Sequence, residues 1–502
     1  MNTIYAVSRL KEWKDVSIKL KKNFCINPVY WICSKEFKNE IMSVHQDVYY
    51  HETVDANRGV FLEQIEQKNF LSKKMILECA HIEREFYTMI NRHDLDGSFT
   101  YEDRKRLYYL QLNYWINVIK RLDIKLLILS ETPHSLSHYI IYMLCKKMGI
   151  PTLMLSYTTI PGTLYAKESI ESVPHIPIKS NNKEYLDKIL NRNVDKLSSD
   201  NEKPWYMLKQ ERLFFRAGVV IWLQALVYII PYLLEKLYLK KRKIYSQFYK
   251  KKGKLFESSD YTRGEFVIKR IDLRRRQKKL KKAYRSISIE PDLNKKYIYF
   301  PLHFQPERSS CPEGSVYTDQ QILIQMIADR LPPDTYLYVK EHPSQYMMTR
   351  GPLGRRPSFY TDIRTISKVI LVDDFISSNL LIKNSIAVVT LTGTAGLEAL
   401  LRGKPALVFG YAWYRHLPGT YYIQGPEDLD SALEHILSSP AISIDQVRQM
   451  INNQNEFLFA GYLMDADRET IDIDYQEHVD TLYKGYASLL AFIGIEDNSH
   501  CK

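Results

Sequence analysis

The chain has no CxxC pair and no Cys/His cluster at metal-ligand spacing. Its six cysteines, at 25, 33, 79, 145, 311 and 501, are scattered, which argues against a disulfide framework or a zinc site and fits a reducing compartment. The N-terminal MNTIYAVSRLKEW lacks the apolar core of a secretory leader, so a cytosolic chain is expected. Internal repeats, low-complexity tracts and windows of disorder-like composition are also missing. The stretch DLDGSFTYED, 94–103, resembles a calcium loop, but setting Gly97 on the loop's obligatory glycine puts Arg92 at the first ligand position and argues against calcium.

What the chain does have is length, apolar patterning and one concentrated block of charge. At 502 residues it exceeds what one core organises, and two or three domains are expected. The net charge of +12 is local: residues 236–285 hold 20 Lys/Arg against four acids, leaving the remainder at −4.

The helical pattern YYLQLNYWINVIKRL, 108–122, runs into the strand-like KLLILS; a loop, a helix closed by Gly149 and the strand PTLML follow. That order is a βαβ unit, with Glu131, Thr132, Pro133 and His134 at the carboxyl end of a strand, where open α/β sheets hold ligands. A second alternation begins with YIYFPL, 297–302, and continues through DQQILIQMIADRL, TYLYVK, KVILVDD, SSNLLIKNS, AVVTLT, TAGLEALLRG and PALVFG. The reading is an α/β protein with two Rossmann-like domains facing a cleft: a first α/β domain over 1–204, an apolar helix and basic insert over 205–290, a second α/β domain over 291–460, and a C-terminal helix over 461–502 packing back on the first domain.

The chemistry concentrates at three strand ends of the second region. In TLTGTAGLEALLRGKPALVFG, 390–410, the small residues Thr392, Gly393, Thr394, Ala395 and Gly396 join a strand to a helix, a turn that can hold phosphate, with Glu398 placed for ribose hydroxyls. A tight turn without ligand fits the same letters. TYLYVK ends at Lys340 and leads into Glu341, His342 and Pro343, the proline stopping the strand. PLHFQPERS, 301–309, brings His303, Gln305, Glu307 and Arg308. No DxD pair stands at these loops, where a metal-bound diphosphate would need one, so metal-independent chemistry and no cofactor are expected.

The ordered set FPLHFQPE, YVKEHPSQ, LTGTAGLEAL, GKPALVFG and AWY resembles the capsule polysaccharide biosynthesis family, which includes the Kdo transferases that build the lipid-linked linker of bacterial capsules. The resemblance covers about 290–425 and implies a GT-B glycosyltransferase fold with the nucleotide in the C-terminal domain. It implies that Gln305 and Pro306 match the QP element, His342 and Pro343 the HP element, and Gly393–Gly396 with Glu398 the phosphate and ribose loop. The expected activity is transfer from a CMP- or UDP-sugar to a surface polysaccharide or lipid-linked acceptor. A nucleotide-sugar epimerase, a polyol-phosphate transferase or a non-catalytic assembly scaffold of the same fold stays open. An inverting transferase needs a base for the acceptor hydroxyl; the candidates are Glu307, then Glu131 and His134.

Between Arg216 and Glu235 lie 18 uncharged residues, about 27 Å as a helix and just short of a bilayer core. A span would put the two α/β halves on opposite sides of the membrane, so an interfacial helix or one buried between domains is expected. The clusters beyond it favour an anionic membrane surface as partner, and nucleic acid is disfavoured for want of a recognised motif. Trp222, Arg274, Arg275, Arg276, Lys278, Lys279, Lys281 and Lys282 are the expected docking residues of a cytoplasmic protein peripheral at the inner face of the membrane.

Overall fold

The computed structural model describes residues 1–179, 183–199, 243–244, 250–251, 258–348, 350–438 and 442–497. The apolar run 217–234, with Trp222, lies outside them. Among the described residues no helix is long and apolar enough to cross a membrane.

The chain divides into two compact units, one of Met1–Tyr87, Arg104–Asp195 and Arg448–Lys502, the other of Thr88–Asp103 and Lys196–Val447. Each is an α/β layer structure around its own sheet. In the first unit the strands are β1 (Asn2–Ala6), β2 (Asn27–Cys33), β3 (Tyr49–Glu52), β4 (Leu126–Leu129), β5 (Thr152–Tyr157) and β6 (Thr163–Lys167). In the main sheet of the second they are β7 (Lys296–Pro301), β8 (Thr335–Lys340), β9 (Val369–Leu371), β10 (Ala387–Thr390), β11 (Ala406–Val408) and β12 (Thr420–Tyr422). A late strand, β13 (Leu458–Ala460), returns to the first sheet.

Both sheets grow outward from their first strand in the same way. The first runs β13-β6-β5-β4-β1-β2-β3, parallel from β3 to β5 and antiparallel at β6 and β13. The second runs β9-β8-β7-β10-β11-β12 and is parallel throughout. Read in chain order the second is 3-2-1-4-5-6, the Rossmann arrangement, and the first follows the same order through its five parallel strands. Parallel strands covered by helices on both faces read as unbroken apolar runs, which is why LLIL and AVVT are buried at every position.

Helices complete each core. Glu12–Phe24 and Tyr475–Phe492 supply Trp13, Leu482 and Tyr486 to the side of the first sheet that carries Leu126, Ile128 and Leu153. In the second unit Leu323, Ile324 and Ile327 pack beside Ile298, Phe300 and Leu337.

The acidic stretch at 94–103 is a turn between two helices. Asp94 accepts the N–H groups of Ser98 and Phe99 at 2.9 and 3.1 Å, and Gly97 takes φ +63°. Its carboxylate is thus engaged in shaping the loop. Leu95 packs with Tyr261 and Leu273 of the second unit.

The end of the basic tract is the helix Arg263–Arg285. Thr262 and Glu265 form a reciprocal capping box at its start. Leu273, Gln277, Leu280 and Tyr284 are buried at four-, three- and four-residue steps, one face of a helix. That face is fixed to the second unit, where the Gln277 amide donates to the Met348 carbonyl at 2.7 Å and the Tyr284 hydroxyl to Val372.

Candidate functional site

In the second sheet β7 lies between β8 and β10, so the direction of strand addition reverses between β7 and β10. Loops leaving the carboxyl ends of strands at such a reversal diverge and leave a crevice. Here the loop after β7 carries His303–Ser310, that after β10 Leu391–Gly396, and that after β8 Glu341–Ser344.

His303 binds two of these loops together. Its buried ring accepts the Leu391 N–H at Nε2, 2.9 Å, and meets the Thr390 hydroxyl at 2.9 Å, which in turn accepts the Gly393 N–H at 2.9 Å. An Nε2 that accepts an N–H carries no proton, so the hydrogen-bond pattern assigns the proton to Nδ1. Burial, then His342 and Arg355, lowers its pKa to about 3. His303 is therefore a neutral brace.

The β8 loop rests on a buried carboxylate, Glu341, to which the sequence pattern gave no role. Glu341 accepts Arg355 Nε at 3.0 Å, the Tyr360 hydroxyl at 2.8 Å and the His342 N–H at 2.8 Å. Arg355 also reaches the His303 carbonyl at 3.3 Å. Next to Glu341, His342 accepts the Ser344 N–H at Nδ1, 3.1 Å, which leaves its proton on Nε2. Burial, then Lys340, lowers its pKa to about 4, so it is a neutral donor at physiological pH. Pro343 precedes the short helix Ser344–Met347.

Lys340 turns toward β9. Its ammonium donates to the Ile376 carbonyl and to Ser378 Oγ at 3.2 Å, and burial lowers its pKa to about 8 against the pull of Asp374. Gln305 is held in place by Gln345, whose side chain accepts the Gln305 N–H at 3.0 Å and donates to its carbonyl at 2.9 Å.

In the β10 loop the Thr392 hydroxyl donates to the Ser309 carbonyl at 2.9 Å, a second tie between the loops of β7 and β10. Thr394 and Ala395 open the helix Thr394–Leu400, whose first N–H groups have no acceptor within the helix. Gly396 packs beneath Tyr414, whose hydroxyl donates to the Gly393 carbonyl. Glu398 is half-buried; burial raises its pKa against Arg402 and a hydrogen bond from Thr394.

Glu307 and Arg308 belong to a charged group. Glu307 is exposed and accepts the Ser309 hydroxyl at 3.1 Å, while Arg308 pairs with Glu313 at 3.6 Å. The buried Arg92 donates to the Cys311 carbonyl. Although the side chain reaches solvent, the loops around its carboxyl desolvate it and raise the Glu307 pKa, opposed by Arg308, the Ser309 hydrogen bond and Arg92. Arg92 is the residue whose position argued against calcium; its place in the second unit had no local signal.

Glu131 and His134 lie in the first unit at the matching reversal, where β1 and β4 are neighbours and the Ser8 N–H donates to Ser130 Oγ at 2.8 Å. Glu131 Oε2 is 3.9 Å from His134 Nδ1, which is 3.0 Å from the Thr132 carbonyl. Among the described residues the hydroxyls of Thr132 and Ser135 and Nε2 of His138 are buried without a partner. Burial and His134 lower the His138 pKa to about 3.

No curated protein matches the chain. Solved structures it resembles include the β-Kdo 2,7 transferase of Thermosulfurimonas dismutans KpsC, at 14% identity over 74% of this chain and 88% of that one, TM-score 0.30. The β-Kdo 2,4 transferase of the same protein aligns at 11% identity over 72% and 87%, TM-score 0.28. A UDP-GlcNAc 2-epimerase from Neisseria meningitidis bound to UDP-GlcNAc aligns at 12% over 93% and 98%, TM-score 0.23. The family model of the capsule polysaccharide biosynthesis protein matches residues 224–430, which include β7 to β12 and the three loops just described.

Proposed function

We propose that the protein is a glycosyltransferase that moves a sugar from a CMP- or UDP-sugar to a surface polysaccharide or lipid-linked acceptor in capsule or surface carbohydrate biosynthesis, working at the inner face of the cytoplasmic membrane. The observation that supports this most is the junction of the β7 and β10 loops through His303 and Thr390 at the strand reversal, with His342 beside it. There His342 donates from Nε2 to a phosphate oxygen. The first N–H groups of Thr394–Leu400 and the Arg308 guanidinium take up charge as the nucleoside phosphate leaves. Glu398 accepts from ribose hydroxyls. Glu307, its pKa raised, is the base for the acceptor hydroxyl, with the Glu131–His134 pair as second candidate.

The test is mass spectrometry of products formed from a panel of CMP- and UDP-sugars with membrane lipid extract, beside calorimetric titration with CMP and UDP. The parent protein is expected to bind one nucleotide and form a glycosylated product. His342→Ala, with unchanged circular dichroism, should bind that nucleotide roughly tenfold or more weakly, the usual loss for a hydrogen bond to a charged group. A parent protein that binds neither nucleotide would overturn the reading.

A further inference from the structure

The helix Arg263–Arg285 presents two unlike faces. Its buried face is fixed by Leu273, Gln277, Leu280 and Tyr284. Exposed on its outer side are Arg275, Lys278, Lys279 and Lys282, spaced at i, i+3, i+4 and i+7, a line about 10 Å long. The ion pairs of the helix fall on other residues: Lys269 with Asp96 at 2.7 Å, Arg276 with Asp272 at 2.8 Å and Arg285 with Asp374 at 3.0 Å. Among the described residues no carboxylate pairs with the four cations of the exposed line. Like charges three and four residues apart repel one another, so the line weakens the helix that carries it.

We propose that this four-cation line is a docking face for an anionic lipid surface, held rigidly by the second unit. The proposal deepens the location given above and does not depend on the sugar chemistry. Two observations favour lipid over nucleic acid. The helix offers no stacking platform on this side, since Tyr284 is buried and Phe266 packs beside Tyr261 and Leu273. The same chain also carries the 18 uncharged residues 217–234, and basic clusters next to apolar segments are drawn to anionic headgroups. Of the cations expected from sequence, the proposal rests on the four that are exposed, and Lys281 is half-buried. Arg276 is already paired, and Arg274 is half-buried with burial lowering its pKa.

The test is sedimentation of the full chain with vesicles of phosphatidylcholine alone or mixed with phosphatidylglycerol. Three forms are compared: the parent, the combined Arg275→Gln, Lys278→Gln, Lys279→Gln, Lys282→Gln variant, and a control, Lys269→Gln with Arg276→Gln, that removes paired cations. The parent should sediment only with the anionic vesicles, less so at high salt. The fourfold variant should lose roughly tenfold or more in partitioning, and the control should keep most of it. Calorimetric titration with CMP and UDP reads the nucleotide site separately. Equal sedimentation of parent and fourfold variant, equal loss in the control, or a parent that ignores anionic vesicles and binds single-stranded RNA would overturn the proposal.

Discussion

Gly393 and Gly396 occupy one turn, and the letters alone give both the same purpose, room for a phosphate. The structure separates them. A Cβ on Gly396 would lie 2.3 Å from the Tyr414 hydroxyl and 2.9 Å from Thr390 Cγ2, whereas one on Gly393 would meet His303 Cε1 and Thr390 Oγ1 at 3.0 Å. Gly396 is thus a packing glycine that lets the helix Thr394–Leu400 seat against Tyr414. Gly396→Ala should lower stability by about 1–3 kcal/mol in urea unfolding, the usual cost of overpacking. In a Tyr414→Phe background, where the clashing oxygen is gone, the same change should cost less; an equal cost would show that the hydroxyl is not what the glycine avoids. The small-residue turn was legible because its composition is local. The commitments of Thr392 to Ser309 and of Lys340 to Ile376 and Ser378 were not, since a hydrogen-bond partner 83 or 36 residues away leaves no mark on the local pattern.

At the scale of elements, strands were easiest to read, because a parallel strand buried on both faces is a continuous apolar run. Boundaries were harder. The strand expected over 368–374 is Val369–Leu371, since beyond it the chain leaves the ladder and the Asp373 N–H donates to Ile289 across a single bridge. The helix expected from 108 begins at Tyr101. A signal was there: Thr100 and Asp103 cap each other, with the Thr100 N–H on Asp103 at 2.9 Å and the Asp103 N–H on Thr100 Oγ1 at 3.3 Å. The turn before that helix tests a longer-range relation. Leu95, 1% exposed, sits in the small cluster with Tyr261 and Leu273, so Leu95→Ala should cost about 2 kcal/mol or somewhat more. Because that cluster anchors the start of Arg263–Arg285, hydrogen exchange should quicken in this helix and stay unchanged in β1 and β4. Uniform quickening in both units would refute this assignment.

Across the whole molecule the compact units are not consecutive blocks, for residues 88–103 join the second and the segment from Arg448 joins the first. Periodicity reveals that a segment is helix or strand, not which sheet a returning segment will cover. Acid stability depends on both units. His45 and His51 in the first unit and His303 in the second are buried, and burial lowers their pKa values to about 4, 4 and 3. In the unfolded chain each titrates near ~6.5. Between those limits the unfolded state binds more protons than the folded one, so stability rises with pH across the window and falls on acidification. At pH ~5 the loss is on the order of 1–2 kcal/mol per histidine relative to neutral pH. Glu12, lowered to about 2 by hydrogen bonds to His478 and Tyr462 that outweigh burial, adds a loss of the same sign below the ordinary carboxylate range. Urea unfolding followed from pH 7 to pH 5 should therefore show a falling midpoint. Because the histidines are divided between the units, circular dichroism and exchange at β1 and at β7 should both report it; a midpoint independent of pH would mean that these rings are solvated in the folded protein.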